Sequence, residues 1–543
     1  MPRIIKNIFY ALCVIALCSC TPSAEDNGKK VFNLNLDQNL TSMDPAFARN
    51  QYAIWMINQI FNGLVQIDSA LNTVPAIAKS WEVSADGLSY TFHLRNDISF
   101  QDDPLFKNGK GRKVVASDFV YSFNRLIDPK VGSSGGWIFS DKVKDIHNFV
   151  ALNDTTFKIN LTKPFPAFLN LLCTQYCMVV PREVVEHYGK DFRSHPVGTG
   201  PFRFKYWKED EILVLLKNEH YWEKDGDARL PYLDAVKVTF ISDKQSAFMN
   251  FIKQDLDYFN SVDGSYRDDI LTKSGHMTSK YKGKFQLIKA PYLSTEYVGI
   301  LVDTSKSMVR ESPLRFKKVR QAINYGIDKA KLVKYLRNGI GIPATSGFVP
   351  SGMPGFDSTL VKGYHYDPVK AARLLAEAGY PNGRGMPEVT LTTSTSYKDL
   401  IEFIQGELTT LGMKVKVDVR PSASLRELMA KNEVNFFRGS WIADYPDAEN
   451  YLSVFYSKNK VPFGPNYTGY FNKEFDKLFV ESYYETDAKK RYVLNRRMDN
   501  MVIENASVVP ILYDQSVTML QNNISGYSIN PLSWMILKRV KKK

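Results

Sequence analysis

The residues able to do chemistry are few and poorly arranged for it. The seven histidines are dispersed, with no His-Glu-x-x-His and no pair at metal-ligand spacing, so neither a zinc site nor a histidine base is indicated. No Gly-x-Ser-x-Gly nucleophile elbow is expected. Gly198-Thr199-Gly200 suggests a phosphate cradle at first sight. It lacks the longer glycine spacing and the following Lys-Ser/Thr of a nucleotide loop, and tight turning before a strand explains it. Cys173 and Cys177 stand four apart in an apolar segment. Helical direction does not naturally bring such sulfurs into disulfide geometry, so buried free thiols are expected. Catalysis requires aligned reactive groups, whereas binding needs a polar and aromatic cleft. The motifs therefore give no reason to expect catalytic residues, a metal or a cofactor.

The beginning of the chain sets its compartment. Arg3 and Lys6 precede an apolar run from Ile8 to Cys18, and Leu17-Cys18-Ser19-Cys20 closes it, in the order of a signal peptide's basic, apolar and processing regions. Eleven apolar residues are too few to cross a bilayer as a helix. The Leu17 to Cys20 pattern resembles a bacterial lipobox, which implies residues 1–20 as a lipoprotein signal peptide and Cys20 as the lipidated first residue of the mature chain. Residues 21–30 are polar and form the tether. Nothing after residue 20 resembles a membrane span, so the body is expected outside the cytoplasm, held to the membrane by its lipid.

With 543 residues, 44% hydrophobic and 23% charged, the chain exceeds the size at which one core keeps growing, and two or three domains are expected. The formal charge of +13 falls to +11 once Arg3 and Lys6 are removed. Basic residues are scattered, with a dense run only at Lys538, Arg539 and Lys541 to Lys543. That distribution argues for a solubilising surface and against nucleic acid as a partner.

Several elements can be read directly. Val31 to Leu36 predicts a strand, and Ile54, Ile57 and Phe61 recur at helical spacing before Gly63. Tyr90, Phe92 and Leu94 alternate with Thr91, His93 and Arg95, a half-buried strand in which His93 is a surface residue. Ser117 is expected to cap a helix starting at Asp118, with Phe119, Phe123 and Leu126 inward. Thr155 to Leu161 reads as a strand and the segment through Cys177 as a helix. Further on come a strand at Tyr297 to Leu301, a helix at Pro313 to Asp328, and a helix opened by Asp367-Pro368 and closed at Gly379. Val389 to Thr392, Ile401 to Leu411 and Val415 to Val419 repeat a strand, helix, strand rhythm. A charged helix around Thr486 to Met501 and a strand at Val508 to Tyr513 complete the chain.

A resemblance runs through these elements in order. Ala78 to Arg95, Ala116 to Ser122, Gly198-Thr199-Gly200-Pro201-Phe202, Pro313 to Ile323, and Tyr366-Asp367-Pro368 leading to Leu374 to Tyr380 are similar to stretches of the extracellular solute-binding proteins of peptide and nickel ABC importers, the class of the oligopeptide- and dipeptide-binding proteins. The resemblance spans roughly residues 31 to 520. It implies an α/β, bilobal, periplasmic-binding-protein-like fold with a hinge and an additional inserted domain. Lobe I would comprise residues 31–66, 191–290 and 505–543, domain II the insertion 67–190, and lobe III residues 291–504.

The resemblance also implies a site. In Gly439-Ser440-Trp441-Ile442-Ala443-Asp444-Tyr445-Pro446-Asp447, Asp444 takes the position of the aspartate that pairs with a peptide's free amino group. Closure around such a ligand removes water, and a carboxylate then needs a cationic hydrogen-bond donor. Gly439, Ser440, Trp441 and Ile442 resemble the strand edge that bonds to peptide backbone, which confers affinity without reading side chains. Trp441 either walls a side-chain pocket or packs in the core or hinge, while Asp447 reads as a turn acid beside Pro446. The edge at Leu34, and the aromatics Trp137 and Tyr297, are further cleft candidates. The implied partners are a short peptide and the transmembrane subunits of an ABC permease, with the receptor a monomer. A nickel chelate or another small solute is the alternative ligand.

Overall fold

The computed structural model describes residues 28–260, 262 and 264–543. The segments expected to be signal peptide and tether, with Cys20, lie outside the described residues except for Gly28, Lys29 and Lys30. A mixed eleven-stranded sheet runs through the protein. In spatial order it contains Val415–Arg420, Val389–Ser394, Phe436–Ile442, Gln286–Ile300, Val508–Leu520, Tyr258–Phe259, Val31–Leu36, Ala235–Phe240, Ile212–Lys217 and Phe202–Lys208, with Ile342–Pro343 added against Val508–Leu520.

Two of these strands are much longer than their apolar cores predict. Gln286–Ile300 and Val508–Leu520 pair antiparallel along most of their lengths and join the two halves of the sheet. Their ladder shifts register twice, once between Glu296 and Tyr297 and, more widely, near the middle. Pairing stops at Pro291 with Gln515 and resumes at Thr295 with Tyr513, passing over Tyr292, Leu293 and Ser294 on one strand and Asp514 on the other. Extra residues on one side of a ladder bend and twist the strand that carries them.

One face of the first half is covered by helices whose apolar stripes were legible. Val319 and Ile323 from Lys317–Gly326, and Ile401, Ile404 and Leu408 from Lys398–Thr410, pack on Val298, Leu391, Phe436 and Ile511. The helix expected over Pro313 to Asp328 begins later, because Ser312 caps a separate 3-10 turn at Pro313–Arg315 and Phe316 is extended.

A second sheet, of Ala78–Val83, Ser89–Leu94, Thr156–Asn160 and Phe149–Asn153, is wholly antiparallel. Tyr90, Phe92 and Leu94 point inward as their alternation requires, and Phe119, Phe123 and Leu126 of Ala116–Ile127 cover them. Ser117 is not the cap of this helix. Val115 is, and the Asp118 carboxylate takes its N–H at 2.9 Å while also pairing with Arg112. The apolar segment through Cys177 is likewise not one helix, but Phe168–Leu172 followed by a 3-10 turn at Gln175–Cys177. Cys173 and Cys177 are free and buried as expected, and burial pushes the Cys173 thiol up to about 12.

Candidate functional site

The strand Phe436–Ile442 has two different edges. Ala443 N–H bonds to Leu293 O at 2.9 Å and Leu301 N–H to Asn435 O at 2.8 Å. In an antiparallel ladder, backbone groups point alternately to one side and the other. Phe437, Gly439 and Trp441 therefore face Gln286–Ile300, while Arg438, Ser440 and Ile442 turn their N–H and C=O away. On that far side Val389–Ser394 pairs only with Phe436 and Phe437. Ser440 and Ile442 thus present backbone groups with no strand against them among the described residues. Of the four strand residues singled out by sequence, these two carry the free edge. Gly439 serves packing, since a Cβ there would lie 2.5 Å from the Tyr297 ring.

Asp444 sits just past the end of this edge. Its side chain meets solvent, yet burial among the surrounding walls holds its carboxyl above the usual carboxylate range, with Asn450 pulling it partly back. A recess does both: the oxygens are reachable but incompletely hydrated. Asn450 Nδ2 donates to Asp444 Oδ2 at a long 3.4 Å, and no cation pairs with this acid among the described residues. The same Asn450 accepts from Trp441 Nε1 at 3.1 Å and from Asp444 N–H at 3.4 Å. Asn450 is therefore a positioning residue that sequence reading passed over.

Opposite stands a second aromatic that the sequence did not single out. Tyr176 feels the field of Asp444; its hydroxyl is pushed up by burial and by that acid, and pulled back by Ser134 and Arg49. The Tyr176 ring lies edge-on to Trp137 at 6.4 Å, and it fits because residue 135 is glycine, where a Cβ would come within 2.4 Å of it. Trp137 is 39% exposed and belongs to this wall. The two remaining candidates do not. Leu34 is fully buried and its strand is flanked by Ala235–Phe240 and Tyr258–Phe259, leaving no free edge for a ligand. Tyr297 is buried against Phe348 and Gly439, so it is core.

Beside the ladder break lies a cavity of about 280 Å³ whose walls include Tyr258, Asn260, Tyr292, Arg337, Asp514 and Trp534. Asp444 is not on its wall. Tyr292 connects the two, because its neighbour Leu293 holds Ala443. Arg337 is taken by Asp514 at 2.7 Å.

Residues 72–463 match the model of the bacterial extracellular solute-binding proteins, family 5 (middle region). The chain belongs to that family. It is 27% identical over 521 residues to the glutathione-binding protein GsiB of Shigella dysenteriae serotype 1 (strain Sd197), covering 95% of this chain and 94% of that one. Its fold is that of HbpA2 from Haemophilus parasuis, with a TM-score of 0.82 at 22% identity over 94% and 100% of the two chains. DppA from Helicobacter pylori, in complex with the peptide STSA, superposes with a TM-score of 0.73 at 24% identity over 96% and 100%.

As a family 5 member the chain is an extracytoplasmic solute-binding protein and not an enzyme. The letters Gly-x-Ser-x-Gly do occur, at Gly132 to Gly136, contrary to expectation. They follow a helix and precede a 3-10 turn, with the Ser134 hydroxyl 3.5 Å from both Ala46 O and the Tyr176 hydroxyl. That is not the strand-to-helix elbow that exposes a nucleophile. Asp447 is also more than a turn acid: it is buried and doubly bonded to Arg491.

Proposed function

We propose that this protein captures short peptides with a free amino terminus and delivers them to an ABC importer, anchored outside the cytoplasm through lipidated Cys20. The observation that carries the reading is the juxtaposition of Asp444, an acid in a recess without a cation, with the outward backbone groups of Ser440 and Ile442. A peptide's ammonium group satisfies the first and its main chain the second. The names of relatives, which include glutathione-binding and dipeptide-binding proteins, accord with a peptide guest and lend no support to a nickel chelate.

Closure follows from the same geometry. Residues 31–66, 191–290 and the chain from Asp514 onward would move with domain II, 67–190, against 291–504, bending at the ladder break beside Asp514; Val508 to Tyr513, expected in lobe I, stay with 291–504, where they pair with Thr295 to Gly299 and pack in its core. A ligand touching both sides shifts the population to the closed form, and docking on the permease would reopen it. Titration calorimetry with trialanine and its N-acetyl form tests the reading. The acetylated peptide is expected to bind at least tenfold more weakly; equal affinity removes Asp444 from this role. Native mass spectrometry of the fresh protein would identify a co-purified guest.

A further inference from the structure

The cations packed around the site are already taken: Arg125 by Asp44 at 2.7 Å, Arg337 by Asp514, Arg438 by Glu296 and Arg491 by Asp447. Arg49 differs. It is exposed, and its guanidinium has no carboxylate or carbonyl partner among the described residues, although its backbone is held firmly. Arg49 N–H bonds to Phe47 O at 2.7 Å. The preceding turn is capped by Asp44 and tied through Ala46 O to the Ser133 hydroxyl at 2.7 Å. The next residue, Asn50, caps the ten-residue helix Gln51–Ile60 by accepting Ala53 N–H at 2.9 Å.

Two further contacts place the chain on either side of Arg49 against the site. Ser134 lies within 3.5 Å of both Ala46 O and the Tyr176 hydroxyl, so the turn carrying Arg49 abuts the aromatic wall opposite Asp444. The Gln51 side chain bonds to the carbonyl of Ser533, a residue of the cavity wall. The helix start adds its own partial positive charge next to Arg49.

We infer that Arg49 is the ligand's anion-binding residue, receiving a carboxylate of the same peptide whose amine meets Asp444. Resting on the peptide reading, this narrows the guest to a short peptide with both charges: the turn carrying Arg49 meets the Tyr176 wall through Ser134, whose hydroxyl is 3.5 Å from both Ala46 O and the Tyr176 hydroxyl, and each added residue lengthens an extended chain by about 3.5 Å. A guanidinium donates two parallel hydrogen bonds to a carboxylate, a geometry that lysine cannot copy. The carboxylate is either the C-terminal one or that of an acidic side chain.

Calorimetry on the full mature protein and its Arg49→Gln variant separates the possibilities, with trialanine, its C-terminal amide, its N-acetyl form and the amides of Glu-Ala-Ala and Ala-Glu-Ala as probes. Native protein should lose at least tenfold on amidation, and R49Q should bind acid and amide alike; recovery by a glutamate-bearing amide in the native protein alone would assign the side chain as the source. If native protein prefers no anionic probe while N-acetylation still weakens binding, Arg49 loses its role and the amine site stands. Binding of none of the probes overturns both. Retained circular dichroism and unfolding midpoint in R49Q show that a lost preference is not lost folding.

Discussion

Asp444 and Asp447 lie three residues apart and are treated in opposite ways. Asp447 is buried, with both oxygens bonded to Arg491 and one also taking Glu449 N–H at 3.0 Å. Asp444 opens into a recess, with one long contact to Asn450. The chain supplies an internal cation for the acid that holds the helix Ala488–Asn505 in place, and, among the described residues, none for the acid beside the free strand edge. A carboxylate left without its counter-charge at a cleft is a vacancy for a cationic guest.

The sharpest break of this comparison is Asp447→Ala. Leaving Arg491 buried and unpaired should cost about 3 to 5 kcal/mol of stability, read from urea unfolding. Asp444→Asn should leave stability nearly intact and weaken peptide binding by about 2 kcal/mol or more, read by calorimetry; a large stability loss and unchanged binding would reverse the two roles. Gly439→Ala should destabilise by about 1 to 3 kcal/mol, because the added methyl meets the Tyr297 ring, again in urea.

Smaller in size is the pH response. Burial raises the Asp444 carboxyl, so the folded protein keeps this proton to higher pH than the unfolded chain does. Its contribution to stability without ligand therefore falls as pH rises from the ordinary carboxylate value through the raised one, and D444N should flatten that slope. Affinity runs the other way: peptide binding should weaken as pH drops through the raised value, since a protonated acid cannot pair with an ammonium group. Unfolding midpoints and calorimetry from pH 4 to pH 8 would check both signs.

Much of the fold was legible because local pattern and burial coincide. Tyr90, Phe92 and Leu94 alternate into the core, and Asp367-Pro368 starts the helix Pro368–Glu377 with the Asp367 side chain accepting Lys370 N–H. Pattern failed where a strand leaves its apolar stretch. Pro291 and the polar Asp514, Gln515 and Ser516 hid the full extent of Gln286–Ile300 and Val508–Leu520, whose pairing with each other sustains them. In the candidate site, Asp444 and the strand edge were named only through what the resemblance of one segment to the family implies. Leu34 and Tyr297 were misplaced because position along a strand says nothing of what flanks it. Asn450, Tyr176 and Arg491 were missed because their partners are fixed by tertiary packing, with Arg491 44 residues from Asp447.

Tyr292 and Asp514 belong both to the interruption in the central ladder and to the wall of the cavity. On the proposed closure, the joint and the chamber would share these residues. Flexing there would change the chamber's dimensions at once, so a guest too bulky for it would prop the joint ajar, and size selection would need no separate gate.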